Sequence, residues 1–122
     1  MLLVEDDADN REMMSLTLEL YGARVTTAAS ALAAIESLSQ DCPDILISDI
    51  GMSEMNGYML LQHIRNAPQM NQTPAIALTA YVSEADQQQA LAAGFQAHLP
   101  KPMEPTELIA TILKLVKGDY IT

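Results

Sequence analysis

Apolar clusters of strand length alternate with segments of helical period from one end of the chain to the other. "MLLVE" (1–5) reads as a first strand. Asp7 is placed to cap the helix that follows, in which Met13, Leu16 and Leu20 share one face before Gly22 ends it. "ARVTTA" (23–28) is a second strand, and Ser30 a cap for a helix over 31–40 whose Leu32, Ile35 and Leu38 fall three apart. "PDILIS" (43–48) carries an unbroken apolar run, the mark of a strand buried on both faces.

Past a loop around Asn56-Gly57 the pattern predicts a helix over 58–66 and a strand over 74–80. Ser83-Glu84-Ala85-Asp86 resembles a capping box opening a fourth helix, 95–100 makes a fifth strand, and Pro105 sits at the first position of a last helix. In that helix Leu108, Ile112 and Leu115 form one stripe. Five strands alternating with five helices through short connections imply an open parallel sheet with helices on both sides. Ligands of such sheets bind at the carboxyl ends of the strands. Those ends carry Glu5 and Asp6, Asp49, Thr79 and, just beyond the fifth, Lys101, so all five can meet in one crevice.

Composition narrows the function classes. At 122 residues and 49% hydrophobic, the chain is expected to be one domain spanning residues 1–122, with no apolar run long enough to cross a membrane. A formal charge of −10 and only five aromatic residues, Phe95 and four Tyr, argue against direct nucleic-acid binding and against anionic membrane surfaces. No leader-like segment precedes the first strand, and the lone Cys42 cannot pair within the chain. A reducing cytoplasm is the expected compartment, with Cys42 as inert packing.

The acids at the first strand end change the picture most. Carboxylates from two strand ends repel, and such a site favours a hard divalent cation with oxygen ligands, Mg²⁺ above all. No His and Cys cluster at zinc spacing is present. An Asp beside Mg²⁺ can attack a phosphoryl group, with Lys101 and Thr79 as partners for the phosphoryl oxygens. Singly, each residue also has an ordinary reading: the acids as a solvated turn, Thr79 as a β-branched strand residue, Lys101 as a surface lysine, Asp49 as a turn cap. Their joint placement at successive strand ends carries the inference.

The order of an acidic pair after strand one, "SDIGM" after strand three, "LTA" at strand four and "KP" after strand five resembles the receiver domain of two-component response regulators. The resemblance covers essentially the whole chain. It implies a flavodoxin-like, doubly wound α/β fold with a five-stranded parallel sheet of order 2-1-3-4-5 and five helices. It implies that Asp49 is the phosphoacceptor, Asp6 the main metal carboxylate and Glu5 a second acid working through metal-bound water, with the carbonyl of Gly51 completing the protein's share of the Mg²⁺ shell. Thr79 would be the switch hydroxyl, Lys101 the phosphate-binding lysine, and Lys101-Pro102 a cis peptide bond.

The chain departs from the family pattern in places. Ser53 and Asn56 stand where relatives often have Pro and Asp, and His98 stands where a Tyr or Phe usually turns inward on activation. By the resemblance Gly51 and Tyr81 would flank the path of a hydrolytic water; neither orients it as an acid or carboxamide would, which implies slow loss of the phosphoryl group, while a bare Gly51 that opens the site to water implies the opposite. "SDIGM", "LTAY" and "AAGFQAHLPKP" also resemble receivers fused to hybrid sensor histidine kinases, so a stand-alone regulator and a module of a larger chain both fit.

The resemblance implies a histidine kinase or phosphotransfer domain as phosphoryl donor and an output domain or partner protein downstream. It implies no enzyme beyond promotion of the chain's own phosphorylation and dephosphorylation. A haloacid-dehalogenase-like phosphatase needs an acid two residues after its nucleophile, where this chain has Gly51. A flavodoxin-like FMN binder needs a hydroxyl- and glycine-rich loop where this chain has acids, and "DDADN" lacks the glycine of an EF-hand. The alternative from another class is a phosphorylation-independent pseudo-receiver that serves as an interaction module.

Overall fold

The computed structural model describes residues 1–40, 42–50, 57–68, 72–79, 88, 91–100 and 104–116. Five parallel strands, β1 (Leu2–Val4), β2 (Thr26–Ala28), β3 (Leu46–Asp49), β4 (Ala75–Thr79) and β5 (Ala97–Pro100), form one sheet in the order β2-β1-β3-β4-β5. Between them run α1 (Ala8–Leu20), α2 (Ala31–Leu38) and α3 (Gly57–Arg65); residues 88 and 91–93 are the described part of α4, and α5 (Pro105–Val116) closes the chain. The capping-box residues 83–86 lie outside the described residues.

Strand pleating divides the core in two. Leu2, Val4, Leu46, Ala75 and Ala77 face α2 and α3, where they meet Ala31, Ala34, Leu38, Leu60, Leu61 and Ile64. The alternate residues Leu3, Ile47, Ile76 and Leu78 face α1 and α5, where they meet Leu18, Leu108, Ile112 and Leu115. Both sheet faces are therefore covered, as the apolar runs of the central strands require.

Local chemistry sets the helix ends. The side chain of Asp7 accepts the main-chain N–H groups of Asp9 and Asn10, and that of Ser30 accepts the N–H of Ala33. At the far end of α1 the N–H of Gly22 reaches the Glu19 carbonyl and that of Ala23 the Leu18 carbonyl, a reversal that requires the positive φ of +92° at Gly22.

Two helix faces differ from the sequence pattern. In α1, Met13, Leu16 and Leu20 do share a stripe, but it faces solvent, with Leu20 86% exposed; Leu18 and Met14 pack inward instead. The helix carries two apolar stripes, and the one that packs on the sheet, Met14 and Leu18, is in phase with Arg11. In α2 the buried stripe is Ala31, Ala34 and Leu38, whose small residues let the helix lie close to the sheet, while Leu32 is exposed. In α5 the stripe of Leu108, Ile112 and Leu115 is buried as the spacing predicts. Cys42 is exposed rather than packed.

At the amino ends of the strands, Arg65 ties three segments together. Its guanidinium donates to the Thr73 carbonyl (2.7 Å), the Gly94 carbonyl (2.9 Å) and Gln96 Oε1 (3.1 Å), and the same Gln96 oxygen accepts the N–H of Ala75 at 2.8 Å. Burial lowers the Arg65 pKa below its ordinary value.

Candidate functional site: an acidic centre at the carboxyl end of the sheet

Three strand ends build the site. Parallel register sets Val4 beside Ser48 and Asp49 beside Leu78, so the residues that follow β1 lie next to the last residue of β3, and Thr79 ends the neighbouring strand. One carboxylate oxygen each from Glu5, Asp6 and Asp49 lies within 4.8 Å of the others. Glu5 and Asp49 are buried and Asp6 is exposed, which places one open side on a cluster otherwise walled by protein.

Charges crowded this closely are costly unless hydrogen bonds or a cation offset them. Hydrogen bonds supply part of the offset. Asn10 Nδ2 donates to the carboxylate at Glu5 Oε1, at 3.4 Å; the Glu5 backbone is held separately, with Arg11 Nη1 donating to its carbonyl at 2.9 Å and its N–H donating to the Ala28 carbonyl at 3.1 Å. Among the described residues, no buried side-chain polar atom lacks a partner. The donor set is oxygen only, with buried and exposed carboxylates together. That suits a hard cation such as Mg²⁺, which takes one or two carboxylates and keeps several waters.

The structure thus brings Glu5, Asp6 and Asp49 together. Thr79 is buried at the end of β4. His98 is partly buried on β5 opposite Ala77; since Thr79 lies two residues beyond Ala77, the two side chains belong to the same sheet face. Gly51, Ser53, Asn56, Tyr81, Lys101 and Pro102 lie outside the described residues.

Three contributors carry no clear mark in the sequence. Asn10 and Arg11 reach back to Glu5 from the first turns of α1, and their only legible sign is position in a helix that starts directly after the acids. Gly57 is the third. Its N–H donates to the Ile50 carbonyl at 3.1 Å, bringing the start of α3 against the strand end that carries Asp49.

Comparison with known proteins agrees with this geometry. The family model described as the response regulator receiver domain matches residues 1–113. An uncharacterised 14.6 kDa protein of Leptolyngbya boryana is 44% identical over 111 residues, covering 91% of this chain and 85% of that protein. The response regulator Rre1 of Synechocystis is 36% identical over 117 residues, which cover 95% of this chain and 51% of Rre1. The hybrid signal transduction histidine kinase D of Dictyostelium discoideum is 35% identical over 124 residues, covering 95% of this chain and 8% of the kinase. The chain therefore spans about half of one of these relatives and a small part of another.

Among solved structures, the chemotaxis protein CheY4 of Vibrio cholerae superposes with a TM-score of 0.88 at 33% identity, covering 93% of this chain and 94% of CheY4. The receiver domain of a signal transduction histidine kinase from Syntrophus aciditrophicus gives 0.88 at 30% identity over 99% of this chain and 92% of that one. With its sheet order, its acidic strand ends and a family match over residues 1–113, the chain belongs to the response regulator receiver domains of two-component signalling.

Proposed function

We propose that the chain, as one receiver domain over residues 1–122, accepts a phosphoryl group on Asp49 and relays it as a conformational signal. The observation that carries this reading is the convergence of the Glu5, Asp6 and Asp49 oxygens within 4.8 Å at the carboxyl end of the sheet. A phosphorylation-independent interaction module has no use for a cluster that is costly to assemble.

In the proposed step, an Asp49 carboxylate oxygen attacks the phosphorus of a phosphohistidine on a histidine kinase or phosphotransfer domain. The new P–O bond forms as the P–N bond breaks, and the electron pair leaves on the imidazole nitrogen, which takes up a proton. Glu5, Asp6, Asp49 and the carbonyl of Gly51 would hold Mg²⁺. When bound, the ion supplies positive charge that offsets the repulsion between carboxylate and phosphoryl oxygens. Lys101 pairs with a phosphoryl oxygen, and the Thr79 hydroxyl donates to another.

Drawing Thr79 toward the phosphoryl group frees space on the face it shares with His98, whose ring then moves inward and alters the output surface. The chain promotes its own phosphorylation and dephosphorylation and no other turnover, and its site belongs to the cytoplasm, where such kinases present their phosphohistidines. Among the described residues no helix is long and apolar enough to cross a membrane.

Intact-mass spectrometry after incubation with Mg²⁺ and acetyl phosphate tests the reading. The wild type gains one phosphoryl group and Asp49→Asn gains none. An adduct that survives in Asp49→Asn, or none in the wild type with Mg²⁺ present, overturns it.

A further inference from the structure

The turn between β1 and α1 is held at more points than a helix cap requires. Asp7 Oδ1 accepts the Asp9 N–H at 3.0 Å and the Asn10 N–H at 3.1 Å, which satisfies the start of the helix. Two further bonds run the other way, from α1 side chains back to Glu5. Asn10 takes its carboxylate, and Arg11 takes its main-chain carbonyl at 2.9 Å.

The choice of acceptor for Arg11 is the informative part. A guanidinium that reaches the backbone of the acidic centre would gain more, by charge alone, from a carboxylate oxygen than from a carbonyl. One of its N–H groups goes instead to the carbonyl of the peptide that joins Glu5 to Asp6. That peptide is planar, so holding its oxygen fixes the ψ of Glu5 and the φ of Asp6 together, and with them the directions in which both acids leave the backbone. The clamp has a firm base. Arg11, Met14 and Leu18 follow one another at helical spacing on a single face; Leu18 is fully buried and Met14 packs against the same core.

We propose that Arg11 is a positioning residue for the acidic centre, acting through the Glu5 carbonyl to orient Glu5 and Asp6 for a divalent cation. The proposal rests on the reading of Glu5, Asp6 and Asp49 as a cation site. Groups that orient metal ligands without touching the metal change its affinity by about 10- to 100-fold when removed. Here the sign is diagnostic. Deleting a positive charge that is bonded to the backbone of the acidic centre removes repulsion toward a cation and by charge alone tightens its binding, so any weakening reports lost geometry.

Calorimetric titration of Mg²⁺ into wild type, Arg11→Met and Arg11→Lys is the test, with folding checked by circular dichroism. Arg11→Met keeps an apolar stem, loses the donors, and is expected to weaken Mg²⁺ binding by about tenfold or more. Arg11→Lys, with one flexible ammonium in place of a planar fork, is expected to fall between the two. Unchanged affinity in Arg11→Met with a lowered melting temperature would make Arg11 a structural residue only, and tighter binding would make it a counter-charge; both overturn the proposal. Should Arg11→Met fail to fold, Arg11→Lys decides, and affinity equal to or above wild type overturns it. A wild type that binds no Mg²⁺ removes the cation site and the proposal with it, whereas wild-type binding with an unaffected variant removes the proposal alone.

Discussion

A Cβ placed on Gly57 would stand 2.8 Å from the main-chain oxygen of Asp49 and 2.9 Å from Cα of Ile50. The start of α3 is therefore pressed against the backbone of the strand end that carries the candidate phosphoacceptor, and both close atoms belong to main chain that cannot swing aside. Gly57→Ala is expected to cost about 1–3 kcal/mol, the usual range for overpacking a tight site. It should also slow phosphorylation by acetyl phosphate, since relief comes by moving Asp49. Urea denaturation and the rate of adduct formation check both parts.

Removal of Asp6 should have two opposite effects. Without Mg²⁺, Asp6→Ala relieves repulsion in the cluster, and the melting temperature should equal or exceed that of the wild type. With Mg²⁺ at ten times its dissociation constant the wild type should gain about 1.4 kcal/mol, and the variant much less. Thermal melts with and without millimolar Mg²⁺ read the crossing directly, and parallel Mg²⁺ responses in the two proteins would contradict it.

Thr79→Ala should separate acceptance of the phosphoryl group from its consequence. The substitution leaves the three carboxylates in place, so intact mass should show phosphorylation as in the wild type. Amide exchange in 97–100 and in α5 should then fail to change on phosphorylation. Identical exchange changes in both proteins would show that the signal does not pass through this hydroxyl.

Loss of the Arg65 side chain should destabilise the fold without touching the acidic centre. Arg65→Ala leaves the half-buried carbonyls of Thr73 and Gly94 without this donor and is expected to cost about 0.5–1.5 kcal/mol for each bond lost. Arg65→Lys should recover part of the loss, because an ammonium cannot reproduce the planar fork. Although burial lowers its pKa, the guanidinium stays charged at neutral pH, so the loss should be flat between about pH 6 and 8. Chemical denaturation at those two pH values provides the measurement.

The sheet and its acidic ends are legible in the sequence because both rest on short-range signals. Unbroken apolar runs mark the central strands, and the acids follow the last apolar residue of β1 and end that of β3. The caps Asp7 and Ser30 and the stop at Gly22 are equally local. Helix phase is not. In α1 the stripe of Met13, Leu16 and Leu20 and the stripe of Met14 and Leu18 are both regular, and which one is buried depends on how the helix seats on the sheet beside α5 rather than on spacing. The contacts of Asn10, Arg11 and Gly57 are hidden for the same reason, since each depends on how a helix is seated against a strand end rather than on neighbours in sequence.

The Arg65 and Gln96 bonds give β4 a mechanical character. Ala75 is pinned through Gln96 to the guanidinium, whereas Thr79, at the other end of the strand, borders the acidic centre. Five residues of strand put about 13 Å between the two, and pairing with β3 on one side and β5 on the other holds the strand along that length. The sheet thus acts as a stiff strut, so the base that Arg65 ties together and the strand end at Thr79 are held at a set spacing.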